Sequence, residues 1–472
     1  MAGDKKLHIV MFPWLAFGHM IPYLELSKLI AQKGHHVSFV STPKNIDRLP
    51  TKLPPHLSPF LSFVKIPLPQ VDGLPSNAEA TIDLPYHQTQ YLKKAYDDLK
   101  QPLTHFLRSS NADWILFDFA SYWIGQQIGP KLGINTAFFS IFIPQFLAFL
   151  GPTSGDSRIN PEDFTVPPNW IPFPTTVAFR QFEIMNIFDS VTGNITGVSD
   201  LDRFKRSADY SDLVAVRACP EFGQEWIQVL GDVYGKTIFP VGQLPTSEYN
   251  CGDHENPAWH SIKEWLNKQL EASVVYVAFG SEVKPSQHEL TEIAFGLEIS
   301  KTPFFWVLRT QQGPTDPDPI NLPEGFEERT EGRGVVWTTW APQLKILGHD
   351  SVGGFLTHSG WSSVVEAIES ETPLVLLTFL ADQGINARVL EEKMMGYSVP
   401  RNQLIGSFTR NSVAESLKLV MLKEEGQIYR DTIKKMKGLF VNKEKDDLLI
   451  NQFLEYLKTH RKEKAEEDLL FR

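Results

Sequence analysis

The chain has 472 residues, 42% of them hydrophobic, which is enough for two or three average domains with substantial cores. A net charge of −11 at neutral pH argues against a large basic nucleic-acid surface. The only cysteines, Cys219 and Cys251, are too few for a disulfide framework and suit a reducing compartment.

In chain order, MAGDKK leads into a short apolar stretch, Leu7 to Pro13, too short for a signal peptide. Leu7–Phe12 reads as a strand, Trp14–His19 as a loop, and Met20 to Lys33 as a helix stopped by Gly34. His36–Ser41, Trp114–Asp118 and Asn135–Ser140 read as further strands. The longest apolar passage, 134–151, is broken by Asn135, Ser140, Pro144 and Gln145 and falls short of the about 20 apolar residues of a membrane span. No integral membrane segment and a cytoplasmic location are therefore expected, and the sequon at Asn194 is expected to be idle. Residues 152–176 and 311–323 read as proline-rich loops.

The pattern restarts at 273–280, a buried strand closed by a tight Gly280–Ser281 turn. Phe304–Arg309, Gly334–Thr338, Gly353–Thr357 and Leu374–Phe379 follow as strands. Alternating strands and helices predict an α/β fold with two Rossmann-like domains. The expected divisions are 1–240 for the first domain, 241–258 for a linker, 259–455 for the second domain, and 456–472 for a helical tail that crosses back to the first.

The chemistry concentrates between Trp340 and Gln383. A Gly/Ser/His turn there opens a helix, whose N-terminus offers unpaired N–H groups and partial positive charge to a phosphate. Gly360 permits close backbone approach, and His358, Ser362 and Ser363 add donors. Steps of four and eight from His358 reach Ser362 and Glu366 on one helix face, so a carboxylate follows the phosphate site at ribose distance. Trp340 is a flat plate for a base, and Asp382 and Gln383, past a strand end, suit sugar hydroxyls. Ser281 adds a donor from the first turn of this half.

In the first half, His19 ends PWLAFGH at a strand end and is the candidate base. Asp118 ends WILFD and is its partner, by the logic of a carboxylate that fixes an imidazole tautomer. The adjoining helix N-terminus is expected to favour neutral imidazole. Trp14, Phe17, Tyr86, Tyr122, Phe142 and Phe146 are expected to line a pocket for an apolar scaffold. No His/Cys cluster has metal-ligand spacing, and no metal is expected.

From Trp340 to Gln383 the chain resembles, almost position by position, the donor-binding signature of plant family 1 UDP-glycosyltransferases. GHMIP around His19 resembles the catalytic-histidine motif of that family. The resemblance implies two Rossmann-like domains facing each other across a cleft, the GT-B arrangement. It implies inverting, metal-independent transfer, with the UDP-sugar as co-substrate and no cofactor. Trp340 would stack on uracil, with the Ala341 backbone and Gln343 at the uridine. His358, Gly360, Trp361, Ser362 and Ser363 would surround the diphosphate, Glu366 the ribose, and Asp382 and Gln383 the transferred sugar. Ser359 stands where the family usually has Cys, and Ser362 where it usually has Asn. Gln383 is the usual residue for glucose-type donors.

MFPWLAFGHMIPYLEL and STPKNIDRLP resemble the subgroup that adds a sugar to flavonoid, terpenoid or steroid glycosides, from UDP-glucose or UDP-rhamnose. The expected partners are thus a UDP-sugar and a small-molecule glycoside, with the protein a monomer. Three other readings stay open: transfer to an aglycone, a non-catalytic UDP-sugar-binding protein, and a nicotinamide oxidoreductase. PWLAFGH in place of GxGxxG disfavours the last.

Overall fold

The computed structural model describes residues 6–50, 53–152, 154–247, 257–310 and 319–462. Cys251, residues 248–256 of the expected linker, 311–318 of the second proline-rich loop and 463–472 of the tail lie outside the described residues.

Seven strands form the first sheet: β1 His8–Phe12, β2 His36–Ser41, β3 Leu61–Lys65, β4 Trp114–Phe117, β5 Asn135–Ser140, β6 Leu213–Val216 and β7 Ile238–Pro240. Their order is β3-β2-β1-β4-β5-β6-β7. Six form the second: β8 Val274–Ala278, β9 Phe304–Val307, β10 Gly334–Trp337, β11 Val352–Thr357, β12 Leu374–Leu376 and β13 Gly396–Ser398. Their order is β10-β9-β8-β11-β12-β13. Every strand pair in both sheets is parallel. These are two doubly wound Rossmann-like domains, each with a crevice where the strand order reverses. The reversals fall between β1 and β4 and between β8 and β11. His19 and Asp118 follow the first pair, and Ser281 and His358 the second.

Strands covered on both faces read as continuous apolar runs. WILF in β4, LVAV in β6 and VVYVA in β8 are buried throughout. Several strands stop short of their apolar runs, because Arg309, Thr338 and Phe379 lie beyond the ladder. The short β6, β7 and β13 and the partly exposed β3 were not expected. Pro240 ends edge strand β7, where its missing N–H costs no ladder bond. The first helix runs Phe17–Gln32, three residues ahead of the expected start, so His19 sits inside its first turn.

The Lys443–Thr459 helix is capped by Asn442, which accepts from the Lys445 N–H at 3.1 Å. It continues unbroken through residue 455 and packs on the first sheet. Phe453 and Tyr456 meet the Phe239 ring at 5.7 and 4.6 Å. The Trp114 indole N–H donates to Leu457 O at 2.9 Å, and Lys462 N donates to Asn135 Oδ1 at 2.8 Å. No helix among the described residues is long and apolar enough to cross a membrane.

Candidate active site

His19 Nδ1 lies 2.7 Å from Asp118 Oδ2. Asp118 is held in turn by two backbone donors, Trp14 N at 3.1 Å and Phe119 N at 2.7 Å. A carboxylate on Nδ1 makes that nitrogen the proton carrier and leaves Nε2 with a lone pair in the neutral ring. Burial pulls the His19 pKa down. The Asp118 charge and hydrogen bond, with Glu282 and Asp382 of the second domain, outweigh it and leave the value above 6.5. The expected bias of the helix N-terminus toward neutral imidazole is therefore reversed by these carboxylates, Asp118 foremost.

Rings surround the imidazole. Phe142 lies edge-on at 5.2 Å, and Phe119 lies tilted at 5.7 Å. Phe146 stacks on Phe142 at 4.9 Å, and Phe204 stacks on Phe119 at 4.4 Å. Trp14 packs on Phe119 at 6.2 Å, and Phe17 opens the histidine's own helix. Two expected residues make other contacts. Tyr122 lies under the guanidinium groups of Arg203 and Arg206, and the Tyr86 hydroxyl lies 3.2 Å from Ser190 Oγ. Phe119 and Phe204 replace them in the ring cluster. Phe119 could have been read from its place next to Asp118; Phe204 comes from a distant helix and carries no local signal.

On the facing domain, the Trp361–Glu369 helix begins at Gly360 without a side-chain cap or an acidic residue in its first turn. Its first N–H groups are free for an anion. His358 lies between Gly280 and Gly360, and a Cβ on either would collide with its Nε2. Gly280 also has φ +74°, a left-handed conformation that only glycine adopts cheaply. Ser281 follows in the same turn. Burial drives the His358 pKa down to about 4, so the ring is neutral at neutral pH.

Gln343 Nε2 donates to Ser363 Oγ at 3.0 Å and to Glu366 Oε2 at 2.6 Å. Thr246 Oγ1 donates to Glu366 Oε1 at 3.1 Å. Burial raises the Glu366 pKa. Trp340, beside the half-buried Ala341, is 69% exposed, a ring left uncovered. Gln383 Oε1 accepts from Phe379 N at 2.8 Å and Leu380 N at 2.9 Å, which leaves its amide N–H groups to donate. Asp382 Oδ2 accepts from Asn386 Nδ2 at 2.7 Å, and burial pushes its pKa up to about 6.

A protein-family model described as UDP-glucoronosyl and UDP-glucosyl transferase matches residues 218–462, just over half the chain. UDP-glycosyltransferase 91A1 of Arabidopsis thaliana is 52% identical over 464 residues, covering 97% of this chain and 98% of the relative. The chain belongs to the UDP-glycosyltransferase family. A soyasaponin III rhamnosyltransferase of Glycine max is 41% identical over 468 residues, covering 98% and 97%. The GT-B fold is shared with the crystal structure of Glycyrrhiza uralensis UGT73P12 complexed with glycyrrhetinic acid 3-O-monoglucuronide. That structure superposes with a TM-score of 0.79 at 24% identity, covering 96% of each chain.

Two contacts of this UDP-glycosyltransferase were not read from its sequence. The Trp361 ring packs on Phe222 at 5.7 Å and Phe440 at 6.0 Å and donates to Gln243 Oε1 at 2.9 Å. It anchors the two domains and leaves only its backbone N–H toward the helix end. Ser362 Oγ accepts from Arg217 Nη1 at 2.8 Å, a contact from the opposite domain. Asn386 was also missed. It donates to both Ser359 O, at 3.0 Å, and Asp382, tying the turn that precedes the Trp361–Glu369 helix to the turn that follows β12. Ser359 holds φ +72°, a strained value for a non-glycine residue.

Proposed function

We propose that this UDP-glycosyltransferase moves a glucosyl or rhamnosyl unit from a UDP-sugar to a hydroxyl on the existing sugar of a specialised-metabolite glycoside. The single observation that carries the reading is the 2.7 Å His19–Asp118 pair at the reversal of the first sheet. The soyasaponin III rhamnosyltransferase relative supports sugar transfer to a saponin. The ring cluster of Phe119, Phe142, Phe146 and Phe204 suits an apolar scaffold beside the base.

In this reading Nε2 of His19 takes the proton of the acceptor hydroxyl. The oxygen attacks the anomeric carbon from one face and UDP departs from the other, so configuration inverts. Asp118 holds the ring and stabilises the imidazolium that forms. A sugar hydroxyl is a weaker acid than a phenol, and a base with a raised pKa suits it better. The leaving diphosphate meets the uncapped helix end, neutral His358 and Ser363. Trp340 covers the uracil, Glu366 takes the ribose hydroxyls, and Asp382 with Gln383 takes the sugar hydroxyls.

The test is a donor–acceptor matrix read by mass spectrometry. UDP-glucose and UDP-rhamnose are each offered with flavonoid, triterpenoid and diterpenoid glycosides and with their aglycones. A gain of one sugar on glycosides is expected. Products from aglycones alone would overturn the sugar-extending assignment.

A further inference from the structure

Arg217 stands immediately after β6 in the first domain and is 2% exposed. Its Nε donates to Gln243 O at 2.6 Å, Nη2 to Leu244 O at 3.2 Å, and Nη1 to Ser362 Oγ at 2.8 Å. All three acceptors are neutral oxygens. Among the described residues it makes no ion pair, and a buried guanidinium held only by neutral acceptors is costly. Burial lowers its pKa to about 10, with Glu366 and Glu25 opposing, so it stays charged at neutral pH.

The second observation lies at the far end of that contact. Ser362 is in the first turn of the Trp361–Glu369 helix, whose N-terminus has neither a side-chain cap nor an acidic neighbour. A buried cation and an unsatisfied helix end, from two domains, therefore converge on one hydroxyl. An anion at that point would satisfy both. Because Ser362 Oγ accepts from Arg217, its own proton is free to point outward as a donor.

We propose that Arg217 is a positioning residue for the donor diphosphate, acting across the domain interface through the Ser362 hydroxyl. The assignment rests on the diphosphate site proposed above. It makes the acceptor-side domain part of the donor-affinity machinery, and it gives the short Ser362 side chain a charged support behind it.

The experiment compares UDP with uridine, which shares the base and ribose but lacks phosphate. Affinities are measured by calorimetry and ligand-observed NMR on the full-length protein and on Arg217→Gln, Arg217→Lys, Ser362→Ala and the Arg217→Gln/Ser362→Ala pair. Arg217→Gln is expected to weaken UDP by about tenfold or more, as for a charge-assisted contact, and to leave uridine within about twofold. Arg217→Lys should recover part of the loss. Ser362→Ala should weaken UDP while sparing uridine, and the double variant should add little to either single one. Ser362→Ala leaves the arginine in place, so the outcome can be read even where Arg217→Gln fails to fold. Parallel losses for UDP and uridine, or full additivity in the double variant, would overturn the role of Arg217. Failure of the unaltered protein to bind UDP would overturn the underlying site assignment instead.

Discussion

His19 and Asp118, 99 positions apart in the chain, meet at 2.7 Å because β1 and β4 are neighbours in the first sheet. Met11 pairs with Leu116 and Phe12 with Phe117, so the two loops leave the sheet at one level. The register of two parallel strands thereby sets the geometry of the proposed base. Neither residue has to be brought in by a loop alone.

Removal of that base should be felt in turnover and not in donor binding. His19→Ala is expected to lower kcat by about a hundred- to ten-thousand-fold, the usual range for a positioned general base. UDP affinity, measured by calorimetry, should stay within about threefold, a small change beside the about tenfold steps that single charge-assisted contacts produce. A variant that keeps more than a tenth of its rate would assign the proton transfer elsewhere.

Gly280→Ala probes the slot for His358. The substitution forces a Cβ into the imidazole and a side chain onto φ +74°. Left-handed strain alone costs about 1–3 kcal/mol. A lower melting temperature together with a loss of UDP binding is expected. Unchanged UDP affinity would mean that His358 does not border the diphosphate.

Trp340 offers the reverse case, a large ring whose removal should leave the fold intact. It is 69% exposed, so Trp340→Ala should leave the melting temperature unchanged. Base–aromatic stacking is worth about 1–3 kcal/mol, which predicts a loss of about five- to 150-fold in UDP affinity. Retained affinity would show that uracil binds against another surface.

The sequence made the second domain's loop residues legible because helix start, glycines and donors are contiguous there, from His358 to Glu366. The first domain was harder. His19 and Asp118 stand out as polar residues ending apolar runs. Phe204 gives no such signal, because it reaches the site from a helix that only the fold brings near. Arg217 did carry one: it interrupts the buried run LVAVRAC, where an unpaired arginine is out of place. Its strand, β6, has only four residues, too few for a clear strand pattern. The opposite protonation tendency of His19 also depended on the fold, since Asp382 and Glu282 reach it from the other domain.

The Lys443–Thr459 helix is predicted to stabilise the first domain. Phe453 is fully buried against Phe239. Phe453→Ala should cost about 3–5 kcal/mol of unfolding free energy in urea titration. A cost below about 1 kcal/mol would show that the helix detaches readily in solution, since intact burial of such a ring is worth more.

The most direct test of the proposed mechanism is the pH dependence of kcat/KM for the unaltered enzyme and for Asp118→Asn. Activity needs neutral His19, and its fraction falls as pH drops through the histidine pKa. With Asp118 in place that pKa is raised from the ordinary histidine value, so the acid limb should lie on the alkaline side of a free histidine's. Without the carboxylate charge, burial dominates and the limb should move to lower pH, with a lower plateau. A limb that stays in place in Asp118→Asn would contradict the His19–Asp118 assignment.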